Sequence, residues 1–135
     1  MADSNRIKLR DKRADKLKSA IEGVVVAHDG SFSDERGANG VKSTYERVVG
    51  NKTLRFRYVW HSSPSDNRSV KNTRARMHTK LQELKIQERL PNLKLKEGGS
   101  YEGAILAFRK STKEGRAFLA LEQALDELEA SIELD

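Results

Sequence analysis

The chain has no cysteine and only two prolines, Pro64 and Pro91, in 135 residues. Without thiols, disulfide staples and thiolate metal sites are excluded, and nothing requires an oxidising compartment. Long apolar runs are missing too. None approaches the roughly 20 residues that span a bilayer, and the first residues lack the apolar stretch of a signal peptide, so no membrane partner is expected and the cytoplasm is the expected location. Aromatic residues make up only 6%, and Tyr45, Phe56, Tyr58 and Trp60 crowd into one short stretch.

What the chain has is charge. Hydrophobic residues make up 36% and charged residues 34%, and the length suits one globular domain over 1–135. Residues 1–5 are expected to be a flexible N-terminus. The net charge of +6 is unevenly spread: residues 41–96 carry fourteen Lys/Arg against four acidic residues, whereas residues 97–135 carry four against nine. A basic body with an acidic final segment bears on partners more than on fold.

Residues 5–21 have good helix formers with a ragged apolar stripe of Ile7, Leu9, Ala14, Leu17 and Ile21, predicting a basic helix. The run Val24 to Ala27, ended by His28, Asp29 and Gly30, predicts a buried strand. Residues 31–40, polar and rich in turn formers, are expected to be a mobile loop. From 41 to 61 the alternation predicts a hairpin turning at Gly50-Asn51, with Leu54, Phe56, Tyr58 and Trp60 on one face and Arg55, Arg57, Val59 and His61 on the other. A two-residue turn pairs Val49 with Lys52, Glu46 with Arg55, Tyr45 with Phe56 and Val41 with Trp60. Arg47 opposite Leu54 is the one misfit. A slip by one residue would place Glu46 on the apolar face, so the register is specified.

Pro64, Ser65 and Asp66 predict the start of a second helix ending near Leu90, before Pro91, with Val70, Thr73, Met77, Leu81 and Leu84 as its buried stripe. Tyr101–Lys110 suggests a fourth strand. Ser111 and Glu114 form a capping-box signature for a last helix over 112–133, whose apolar seam is Phe118, Leu121, Leu125, Leu128 and Ile132. The expected fold class is α+β, a small antiparallel sheet with helices packed on one face, in the order α-β-β-β-α-β-α.

No catalytic, metal or cofactor motif stands out. The element order resembles that of the restriction-endonuclease-like nucleases, whose Mg²⁺ needs an acidic residue and an acidic-x-Lys pair on adjacent strands. Leu54 to Trp60 contains no carboxylate, which excludes that chemistry. The order over 5–90 also resembles the double-stranded-RNA-binding domain. Its Gly-Pro-x-His loop is absent from 31–40, and its paired lysines are absent from Val70–Arg76. His28 with Asp29, and His61, would act catalytically only beside a nucleophile or metal partner.

The charge pattern therefore leads. Lys71, Arg74, Arg76, His78 and Lys85 on the second helix, with Arg55 and Arg57 on the hairpin, are the expected nucleic-acid contacts, reading the DNA or RNA backbone without catalysis. The N-terminal run Arg6, Lys8, Arg10, Lys12, Arg13, Lys16 and Lys18 adds a basic arm or an exposed helix face. The alternative expectation is a protein-binding adaptor or inhibitor, or a homodimer, docking through Phe32 in the 31–40 loop and Glu122, Asp126 and Glu129 on the last helix.

Overall fold

The computed structural model describes residues 6–38, 40–61, 72–88 and 97–133. Its elements are α1 (Lys12–Ala27), β1 (Ser31–Gly37), β2 (Gly40–Val49), β3 (Lys52–His61), α2 (Thr73–Glu83), α3 (Tyr101–Ser111) and α4 (Lys113–Glu133). The strands form one antiparallel sheet in the order β1-β2-β3. The α+β class holds, and the order becomes α-β-β-β-α-α-α. Among the described residues, no helix is long and apolar enough to cross a membrane.

The hairpin has the register its side-chain alternation requires: Val41 faces Trp60, Tyr45 faces Phe56, Glu46 faces Arg55 and Val49 faces Lys52. At the turn Gly50, and not Asn51, takes a positive φ, 61°, as the first central residue of a type II′ turn does. On the inner face Val41, Tyr45, Phe56 and Trp60 are buried with Leu17, Ile21, Val24 and Val25 of α1, Met77 and Leu81 of α2, and Phe118, Leu121 and Leu125 of α4. Each such side chain contributes about 1.5–3 kcal/mol. On the outer face Val48, Arg55, Arg57 and Val59 are exposed, so the helices occupy one side only.

Several expectations are corrected. The first helix spans Lys12–Ala27, not 5–21, because the Asp11 carboxylate caps it, accepting from the Arg13 and Ala14 N–H groups at 2.9 and 3.1 Å. The valines expected as a strand form its last turns, where Val24 and Val25 are fully buried; tertiary burial outweighs their modest helix preference. The expected loop 31–40 holds β1, with Phe32 paired to Tyr45 and Asp34 to Ser43. Tyr101–Lys110 is helical, capped by Ser100, whose Oγ accepts from the Gly103 N–H at 3.0 Å. A four-residue apolar run, Ile105 to Phe108, does not by itself distinguish strand from helix.

Pro64 to Lys71, and Arg89 with Leu90, lie outside the described residues. Within them the second helix ends at Glu83, short of Pro91, because the chain turns back there: the Ile86 N–H donates to the Leu81 carbonyl at 2.9 Å and Lys85 adopts φ 56°. α1 ends the same way, with the Gly30 N–H on the Val25 carbonyl at 2.8 Å and Asp29 at φ 63°. Both are Schellman-type ends with a non-glycine residue in the left-handed position. Arg47, the misfit of the hairpin pattern, joins the two ends. Its Nε donates to the His28 carbonyl at 3.0 Å, and its Nη1 to the Leu84 and Lys85 carbonyls at 3.1 and 3.0 Å. One guanidinium thus satisfies terminal carbonyls of two helices and offsets both negative dipole ends. For α4 the capping hydroxyl is that of Thr112, which accepts from the Gly115 N–H at 3.0 Å, one residue beyond the expected Ser111.

Candidate nucleic-acid interface

Strand alternation sends Ser31, Ser33 and Glu35 of β1, Lys42, Thr44 and Glu46 of β2, and Thr53, Arg55 and Arg57 of β3 to the outer face. No described helix packs on that face, and its surface is hydroxyls and charges with Val48 and Val59 at the ends. Arg55 is engaged by Glu46, Nε to Oε1 at 2.7 Å, with both side chains well exposed. Such a surface pair contributes at most about 1 kcal/mol and exchanges readily for another anion. Arg57 faces Thr44 and is exposed, with no acidic side chain in ion-pair reach among the described residues. Lys42 sits between Glu35 and Val59 in the register.

The cations of α2 do not join this surface. Met77, Leu81 and Leu84 bury α2 against the inner face, which puts its side chains on the opposite side of the sheet from Arg55 and Arg57. Arg74 is occupied: its Nε meets Glu129 Oε1 at 3.1 Å and its Nη2 meets Asp126, and the Glu129 hydrogen bond raises the guanidinium pKa further. Arg76 lies beside the Tyr58 hydroxyl. Burial raises the Tyr58 phenol and the Arg76 charge partly offsets this, which places Arg76 at the β3 edge. His78 and Lys85 are exposed. Lys71 lies outside the described residues.

The acidic stripe expected to dock a partner is answered within the chain. Arg74 holds Asp126 and Glu129, Lys16 holds Glu127 at 2.7 Å, and Arg109 holds Glu122 and Glu88 through paired contacts of 2.6–3.0 Å. Phe32 is half-buried on β1, its ring centroid 6.5 Å from that of Tyr45, so it is not an exposed docking residue. Of the N-terminal cations, Lys8, Arg10 and Lys12 are exposed, whereas Arg6 and Lys18 are built into the fold.

That last pair belongs to a cluster that composition and periodicity did not reveal. The Lys18 Nζ, fully buried, sits between Glu22 Oε2 at 2.6 Å and the buried Asp34 carboxylate. Asp34 also accepts from the Ser43 hydroxyl at 2.7 Å and the Ile7 N–H at 2.8 Å. Arg6 closes the network on Glu22 at 2.6 Å and Asp15 at 2.9 Å, and the Leu9 N–H joins Asp15 at 2.9 Å. Beside it the Tyr45 hydroxyl and Trp60 Nε1 are buried without a hydrogen bond of good geometry, although the Ser43 and Trp60 side chains approach the Tyr45 oxygen. Burial pushes the Tyr45 phenol far above its usual value. The only advance signal was the Lys18/Glu22 spacing of four, which does not distinguish a surface pair from a buried one. Among the described residues no three His, Asp or Glu side chains are placed to hold a metal ion.

No family model, no curated protein and no solved structure matches this chain.

Proposed function

We propose that the protein binds nucleic acid without catalysis, through the open outer face of its sheet, with Arg57, Lys42 and Arg55 meeting backbone phosphates. The supporting observation is a polar, hydroxyl-rich sheet face left uncovered by the described helices, on which Arg57 has no acidic partner among the described residues. Arg74 leaves the expected contact set because it lies on the helix side of the sheet, held by both Asp126 and Glu129.

The adaptor reading draws no comparable support. Its acidic residues are paired internally and its Phe32 is half-buried.

Three phosphate contacts would give an affinity falling with salt at a log–log slope of about −3 on duplex DNA. The test is fluorescence anisotropy with duplex DNA, single-stranded DNA and duplex RNA across a salt series. Arg57→Ala should weaken binding to every sequence alike and lower the slope magnitude by about 1. No binding to any of the three probes at low salt would end the proposal.

A further inference from the structure

On the helix side of the sheet a cleft of about 380 Å³ opens where the end of α1, β2, residues 85–88 and the α3–α4 corner meet. We infer that this cleft binds an amino-bearing nucleobase together with its phosphate, as in an adenine or cytosine nucleotide, whether free or at an unpaired position of a strand. The volume falls within the range of about 300–1,000 Å³ usual for small-ligand sites.

The lining combines the groups such a ligand requires. Phe118 and Phe108 supply an apolar aromatic wall, and the His28 ring stands edge-on to Phe118 with centroids 5.7 Å apart. His28 Nδ1 lies 2.8 Å from the Val24 carbonyl, which only accepts, so this nitrogen carries the proton and Nε2 of the neutral ring is an acceptor. Glu114, exposed and without a cationic partner among the described residues, is a second acceptor, while Gln87 offers both a donor and an acceptor. An exocyclic amine and adjacent ring nitrogen match that set. Glu88, by contrast, is saturated by Arg109. For the phosphate there are Lys85, which has no acidic partner among the described residues, and Arg47, whose three carbonyl bonds use only Nε and Nη1 and leave Nη2.

Backbone conformation points to the same place. Asp29 and Lys85 are the only non-glycine residues with positive φ among those described; Lys85 lines the cleft and Asp29 directly follows its lining residue His28. A glycine would fill either position at lower cost, and residues held in such conformations cluster at ligand sites.

The cleft and the outer sheet face lie on opposite sides of the sheet, so the two proposals fail separately. The test is an NMR titration of the full chain with AMP, CMP, UMP and ribose 5-phosphate, read at the Lys85 and Gly115 amides and the His28 ring. AMP and CMP should saturate these signals, with UMP and ribose 5-phosphate about tenfold weaker. Glu114→Ala should lower AMP affinity about tenfold, as should Lys85→Gly, which keeps the backbone conformation while deleting the amine. The assignment is overturned if none of the probes saturates these signals, if ribose 5-phosphate binds as tightly as AMP, or if both variants bind AMP like the parent. A short oligo(dA) saturating the same signals more tightly than AMP identifies a strand as the source. An oligonucleotide that binds while these signals stay still, with AMP leaving them still as well, overturns the cleft assignment and leaves the sheet-face proposal standing.

Discussion

Replacing Lys18 by Met tests the ionic centre of the fold. Met matches the length and volume of the Lys stem, so the substitution removes the ammonium without opening a cavity. The network of Arg6, Lys18, Asp15, Glu22 and Asp34 carries a net charge of −1, and the variant raises it to −2. Asp34, whose side chain has no exposure, then keeps only the Ser43 hydroxyl and the Ile7 N–H as partners. Removing one member of a buried ion pair costs about 3–5 kcal/mol, because the remaining charge stays desolvated. The two remaining donors on Asp34 and the Arg6 contact on Glu22 place the expected value near the lower end, about 3 kcal/mol. That is a large share of the roughly 5–15 kcal/mol that holds a domain of this size together. Urea denaturation at 25 °C measures it, with the slope against denaturant unchanged. Asp34→Asn in the Lys18→Met background removes the stranded charge and should recover more than half of the loss. A Lys18→Met cost below about 1 kcal/mol, or a double variant no more stable than the single, would refute the view of this cluster as a closed network whose buried carboxylates depend on the Lys18 charge.

Arg47→Ala should cost about 2–3 kcal/mol by the same assay, since it strips three charge-assisted hydrogen bonds from the ends of α1 and α2. A loss no larger than that of an ordinary surface arginine would contradict the shared-cap account. The Tyr45 and Tyr58 phenols, both raised above 10.0 in the fold, keep their protons more tightly folded than unfolded. Their contribution is therefore complete below about pH 10 and lost above it, by up to about 1.4 kcal/mol per pH unit for each phenol. Tyr45→Phe should reduce that alkaline slope and be neutral or stabilising at pH 7, because it deletes a buried hydroxyl without a good partner; a cost above about 1 kcal/mol would show the hydroxyl to be well bonded. Lys85→Gly should raise thermal stability by about 0.5–1 kcal/mol by relieving the left-handed backbone.

The hairpin was legible because strand alternation has a strict period and only one register keeps Glu46 off the aromatic face. The seam of α4 was legible for the analogous reason at helical period. Two of the elements that escaped, β1 and the last turns of α1, were decided by a non-local partner. Ser31 to Gly37 looks like a loop because it is polar and rich in turn formers and its central inward residue is a carboxylate, and Asp34 belongs in the core only once Lys18 and Ser43 are there to meet it. Val24 and Val25 favour a strand locally, and their burial against the sheet holds them in a helix. Charge was readable in amount but not in placement. The same helix that presents Arg76 to the β3 edge commits Arg74 to Asp126 and Glu129, 52 and 55 residues further along the chain. Arg47 seemed misplaced only while its partners, the ends of α1 and α2, were unknown.

The most direct test of the functional account compares the parent chain with the Lys42→Ala/Arg57→Ala variant by anisotropy on duplex DNA at two salt concentrations. Both side chains point away from the core, so the variant should keep the parent's stability. It should bind about tenfold or more weakly at low salt, with a shallower salt dependence. Parent-like affinity and slope in a folded variant would contradict the assignment of the outer sheet face.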